Sequence, residues 1–132
     1  MTNYLVIGSS DKFKYNKRKG GNGLFVFVFM HGCPFCNNMM LEWMKFQNAD
    51  IVDTLTIDNI SFDKIKSKEP ILAHIKPSSY PHLEYLPNAS SSQTKGMLYV
   101  GMRSAVAFEQ FVKKYDKANN VKKNVKIKNK SV

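Results

Sequence analysis

His31-Gly32-Cys33-Pro34-Phe35-Cys36 stands between two segments of opposite character. Before it, Leu24-Phe25-Val26-Phe27-Val28-Phe29-Met30 is a run of β-branched and aromatic residues that predicts a strand covered on both faces. After it, the apolar spacing from Asn37 to Phe46 predicts a helix. The cysteines therefore fall where a buried strand hands over to a helix N-terminus. There the free N–H groups of the first turn and the positive end of the helix dipole favour a thiolate over a thiol. Pro34 suits the first helical position, where its missing N–H was an unpaired donor anyway. Met40, Trp43 and Met44 lie four, seven and eight residues after Cys36, which puts Cys36 on the buried face and leaves Cys33 at the exposed tip. An accessible thiol three residues before a shielded one is the arrangement that thiol–disulfide exchange needs, with one sulfur to attack and one to resolve.

Composition narrows the class. A chain of 132 residues is long enough for one domain with a proper core and too short for two. Its 43% hydrophobic and 12% aromatic residues argue for a globular fold over a disordered one. Met1 to Gly8 carries no basic n-region, so no secretory signal is expected. The longest apolar run, Leu24 to Met30, is seven residues, against the roughly 20 of a membrane-spanning helix, and a soluble chain without a membrane span is expected. Two cysteines in a single C-x-x-C do not make a disulfide-stapled scaffold, and the cytosol is the expected compartment. The net charge of +10 is concentrated in Lys12 to Lys19 and in the tail after Asp116, where Lys122, Lys123, Lys126, Lys128 and Lys130 meet no acid. These lysine-rich segments suit an anionic partner, or simply a solvated surface of the kind an AT-rich genome encodes. No aromatic–basic interleaving supports specific reading of bases.

In chain order, Tyr4 to Ile7 predicts a first strand and Lys12 to Gly23 a basic, glycine-ended loop. The central strand and the helix from Pro34 to about Gln47 follow. Val52 to Ile57 predicts a strand, and Ser61 a cap for a helix starting near Phe62. Pro70 breaks or restarts that helix. Beyond Tyr80-Pro81, His82 to Leu86 alternates as a strand, Pro87 to Lys95 reads as a hairpin loop and Gly96 to Met102 as the partner strand. Ser104 caps a last helix whose apolar stripe includes Val106, Phe108, Phe111, Val112 and Tyr115. Residues 118–132 read as a basic, disordered C-terminal tail.

Strand, C-P-F-C, helix, then an X-Pro leading into a hairpin and a final helix: over residues 1–117 the chain resembles the thioredoxin superfamily. Tyr80-Pro81 resembles the Tyr-Pro-Thr of protein disulfide isomerase domains, and Tyr99-Val100-Gly101-Met102-Arg103 their Tyr-x-Gly-x-Arg, whereas the Pro34-Phe35 dipeptide is like that of glutaredoxins. The resemblance implies an α/β thioredoxin-like fold, a central mixed sheet flanked by helices, and a thiol–disulfide oxidoreductase. It makes Cys33 the nucleophile, Cys36 the resolving thiol and Pro81 a cis-proline, with the Tyr80 backbone pairing with substrate and Arg103 tuning the resolving thiol. Pro81 is preferred to Pro77 because an alternating strand follows it directly. Protein thiols or disulfides are the implied substrates, a further redox partner recycles the pair, and no cofactor is implied. His31, two residues before Cys33, is a candidate both for substrate contact and for lowering the Cys33 pKa.

Three departures stand out. Gly32 replaces the tryptophan common before the first cysteine, and Phe27 or Val26 stands where related domains carry a buried carboxylate, leaving Arg103, His31 or water to move the Cys36 proton. The Gly-Gly-Cys element that helps glutaredoxins hold glutathione is absent, which argues against glutathione use. Two rival readings remain. One is a thioredoxin-fold binding module that docks on a larger assembly, such as a virion, by its basic surface. The other is a zinc site, which would need two of His31, His74 and His82 to converge on the cysteine pair.

Overall fold

In the structure, a computed structural model, residues 23–87 and 95–115 are described. The expected first strand at Tyr4 to Ile7, nearly all of the basic loop, the tip of the hairpin and the C-terminal tail lie outside them. The central strand is β1 (Leu24–Phe29). It pairs in parallel with β2 (Asp53–Asp58) and antiparallel with β3 (His82–Leu86), and β3 pairs antiparallel with the short β4 (Met97–Leu98). Among the described residues the sheet order is β2-β1-β3-β4, a mixed sheet. Helix α1 (Pro34–Asn48) carries the chain from β1 to β2, α2 (Asn59–Lys66) and a 3-10 turn at Pro70–Leu72 follow β2, and α3 (Ala105–Tyr115) comes last. This is the thioredoxin-like arrangement.

Side chains alternate across a strand, so β1 sorts its residues by shape. Leu24, Val26 and Val28 pack with Leu55, Ile57, Phe62, Ile65, Leu72 and Ile75 on the α2 side. Phe25 and Phe27 turn to the opposite face and pack with Met39, Trp43 and Phe46 of α1 and Phe108 and Val112 of α3. The Phe25 ring meets Trp43 edge-on at 5.2 Å between centroids, Phe46 at 5.6 Å and Phe108 at 6.0 Å. Edge-to-face packing of this kind fixes ring positions more tightly than area burial alone. Polar groups inside this face are paired. Trp43 Nε1–H donates to Thr56 Oγ1 at 2.8 Å, and Thr56 Oγ1 donates to Gln47 Oε1 at 3.0 Å, tying α1 to β2.

Four local expectations are corrected. The buried stripe of α1 is Cys36, Met39, Trp43, Phe46 and Gln47, while Met40 and Met44 sit half-buried at its margin; the helix turns its Met39 and Phe46 ridge toward the phenylalanines of β1. Helix α2 is capped by Asp58, not Ser61: Asp58 Oδ2 accepts from the N–H groups of both Ile60 and Ser61 at 3.2 Å. The strand runs straight into the helix there, and a carboxylate at that junction meets the first free donors. The strand expected over Gly96 to Met102 shrinks to Met97–Leu98: Tyr99 N–H still reaches Leu83 O at 2.8 Å, and beyond it the Tyr99 hydroxyl bonds the Met102 carbonyl in a loop instead of a strand. Val106 is 64% exposed and leaves the α3 stripe to Phe108 and Val112. Ser104 does cap α3, its Oγ accepting from Ala107 N–H at 3.2 Å.

Candidate active site

The link from β1 to α1 is a tight turn. Cys33 N–H donates to Met30 O at 3.2 Å, and Gly32 takes φ 81°, a left-handed conformation in which an L side chain is strained. The glycine therefore belongs to the turn that sets up the cysteines. Cys33 is the N-cap of α1, and its Sγ accepts the Cys36 N–H at 3.2 Å. Pro34 occupies the start of the helix, as its missing donor favours.

Both cysteines are free, and their surroundings separate them. Cys33 is half-buried, and Cys36 is 1% exposed among Phe25, Phe27 and Met39. Partial burial on its own pushes the Cys33 thiol up. The Cys36 thiol, the N–H groups of Cys36 and Phe35 and the charge of Arg103 together outweigh it and bring Cys33 below its ordinary value. For Cys36, burial dominates, reinforced by the hydrogen bond to Cys33, and its pKa is pushed up to about 11. One thiol is accessible with its pKa lowered and the other is shielded with its pKa raised, an inequality that suits attack by one sulfur and resolution by the other.

The peptide bond Tyr80–Pro81 is cis. Tyr80 packs against both hydrophobic clusters, including the one that holds Cys33 and Cys36. Burial raises its phenol pKa, with the charges of Asp63 and Cys36 adding to the effect. The loop after β4 brings in the arginine. Tyr99 N–H donates to Leu83 O at 2.8 Å, its ring packs on Phe108 and Phe111, and its hydroxyl donates to the Met102 carbonyl. Gly101 fits under that ring, where an added Cβ would lie 2.9 Å from the Tyr99 hydroxyl. So folded, the loop sets the Arg103 guanidinium over the Phe35 ring, 5.9 Å from its centroid, where its charge favours both thiolates. Glu42 of α1 holds the next turn in place by accepting the Ala105 N–H at 2.9 Å.

His31 is exposed and packs edge-on to Phe29 at 5.5 Å; the groups that act on the Cys33 thiol are instead Cys36, Phe35 and Arg103. His82 is buried and its Nε2 lies 2.8 Å from Glu84 Oε1. Among the described residues no group of three or more His, Cys, Asp or Glu gathers where a metal could be held. The His82–Glu84 pair and the Glu42 cap were missed in the sequence. The first has a legible signal, two polar residues two apart on one strand face; the second joins residues 63 apart and has none.

No protein-family model matches the sequence, and no curated protein matches it significantly. Solved structures do. The J-Trx1 fragment of ERdj5 superposes with a TM-score of 0.60 at 16% identity, over 87% of this chain and 52% of that one. Human ERp44 in its zinc-bound form gives 0.54 at 15% identity, over 71% of this chain and 26% of that one. The first thioredoxin domain of mouse protein disulfide-isomerase A4 gives 0.50 at 18% identity, over 76% of this chain and 66% of that one. The chain thus spans about half of the ERdj5 fragment and about a quarter of ERp44. Sheet order, a C-x-x-C at the helix N-terminus and this structural likeness together identify the chain as a thioredoxin-fold protein.

Proposed function

We propose that the chain is a thiol–disulfide oxidoreductase acting on protein substrates. The observation that carries this reading is the unequal placement of two thiols at one helix tip, Cys33 half-buried at the cap with its Sγ accepting the Cys36 N–H at 3.2 Å and Cys36 1% exposed, which lowers the first pKa and raises the second. In reduction, the Cys33 thiolate attacks a substrate disulfide, forms a mixed disulfide and expels one substrate thiolate. Cys36, on losing its proton, attacks Cys33 Sγ, closes the Cys33–Cys36 disulfide and releases the second substrate thiolate. The substrate gains two electrons, the protein loses two, and an external dithiol restores it. Run in reverse, the Cys33–Cys36 disulfide oxidises a substrate dithiol. A stabilised Cys33 thiolate favours the dithiol form of the protein, and this inclines the reading toward oxidation or isomerisation of substrates.

Within this proposal the backbone of Tyr80, ahead of cis-Pro81, pairs with an extended substrate segment, His31 contributes to the exposed substrate face, and Arg103 steadies both thiolates. The two-cysteine composition supports a reducing, cytosolic setting. No helix among the described residues is long and apolar enough to cross a membrane. The test is trapping. Cys36→Ser is expected to accumulate mixed disulfides through Cys33, Cys33→Ser to accumulate few, and both to lose insulin reduction. A parent protein without insulin-reducing activity, or variants that retain it, would favour the docking-module reading, for which the net charge of +10 is the supporting feature.

A further inference from the structure

Beside the cysteine helix, between the cis-proline loop and the outer edge of β4, lies a groove of about 370 Å³. That volume is at the small end of the range for ligand sites, on the order of 300–1,000 Å³, and suits a side chain with its neighbours rather than a large cofactor. Its lining mixes apolar residues, Pro81, Leu98, Tyr99 and Val100, with polar ones, and Leu98 and Val100 are 57% and 83% exposed. Its lining includes Lys76 and Arg103, both exposed, with His82 and the hydroxyl-bearing Ser78 and Ser79, and among the described residues no carboxylate lines it. Glu84, on the same strand face as His82, is buried and already paired with that imidazole.

Arg103 connects this groove to the chemistry. It also lines a second hollow with Phe35, Asn38 and Met39, so one guanidinium borders the groove on one side and the C-x-x-C helix on the other. We infer that the groove receives an acidic side chain of the polypeptide substrate, held between Lys76 and Arg103, a few residues along the chain from the sulfur that Cys33 attacks. The inference rests on the exchange reading above and gives it a substrate class. A carboxylate matches the fork of an arginine and the point charge of a lysine. The strongly basic chain draws acidic segments toward itself at long range. The open apolar edge at Leu98 and Val100 accommodates the flanking residues of an extended polypeptide, which a small anionic disulfide lacks.

The test uses the full chain and a set of short disulfide-linked peptides identical except for Glu, Gln or Lys at one position near the cysteine. Peptide reduction is followed with dithiothreitol as the recycling dithiol. A parallel NMR titration uses the same peptides with Ser in place of Cys, which bind but cannot react. The Glu peptide is expected to exceed the Gln peptide in kcat/KM by roughly fivefold, the upper end for one exposed ion pair, with the Lys peptide slowest. Lys76→Gln is expected to bring the Glu-to-Gln ratio toward one, and Lys113→Gln, on α3, to preserve it. Equal rates for Glu and Gln overturn the inference, as does a preference that survives Lys76→Gln or disappears equally in Lys113→Gln. Glutathione disulfide reduced faster than every peptide, with the same dependence on Lys76, overturns the polypeptide assignment. If no disulfide is reduced, the exchange reading fails and the titration alone decides the groove: shifts at Lys76, Ser78 and Val100 that are stronger with Glu than with Gln support it, and their absence overturns it.

Discussion

Gly32 is the residue at which the site and the backbone meet. An added Cβ there would point into open space, so the obstacle to any side chain is the φ of 81° and not a clash. Gly32→Ala is therefore expected to destabilise the fold by about 1–2 kcal/mol, read as a lower Tm. Gly101 is the opposite case, since a Cβ there meets the Tyr99 ring. Gly101→Ala is expected to shift the loop and carry Arg103 off the Phe35 ring. For a thiol, the ionised fraction rises with pH through its pKa, so a lowered pKa moves half-maximal reactivity to lower pH. Arg103 favours the Cys33 thiolate, and Arg103→Gln is expected to move the half-point of Cys33 alkylation upward; an unchanged half-point would remove Arg103 from the site. The unequal exposure of the two cysteines was legible because position on a helix face is local. The backbone angle of Gly32 was not, because a glycine in sequence records freedom without saying how it is used.

At the scale of elements, Asp58 and Thr56 show what holds the scaffold behind the site. Asp58→Ala removes the side-chain acceptor for two N–H groups of α2 and is expected to cost about 1 kcal/mol in denaturant unfolding. Thr56→Val keeps the shape but removes the acceptor of the buried Trp43 indole N–H and the hydroxyl that donates to Gln47 Oε1, and a loss of about 1–3 kcal/mol is expected. A near-neutral Thr56→Val would show that the buried chain of hydrogen bonds contributes little. The type and order of β1, α1, β2 and β3 were legible from periodicity. The cap of α2 was misplaced by three residues because β2 runs into the helix without a loop, leaving no turn residues to mark the boundary. The stripe of α1 was set by contact with Phe25 and Phe27 across the core, which spacing along the helix alone does not reveal.

Across the whole molecule, one aromatic face supports both cysteines. Phe25 lies among Trp43, Phe46, Tyr85 and Phe108, and Phe25→Ala is expected to cost about 3–5 kcal/mol and to expose Cys36 as the face loosens. The mixed sheet was legible through the family resemblance that the strand, C-P-F-C and X-Pro pattern carries, but the convergence of α1, the cis-proline loop and the Arg103 loop depends on long-range contacts such as that of Glu42 with Ala105. The account as a whole turns on two chemically unequal sulfurs at one helix tip. The most direct measurement is alkylation of each cysteine in the intact reduced chain as a function of pH, resolved site by site by mass spectrometry. The account predicts that Cys33 reacts first, with its half-point below the ordinary thiol value, and that Cys36 stays protected until the pH approaches about 11. Two cysteines that titrate together near the ordinary value, or a Cys36 that reacts before Cys33, would contradict it.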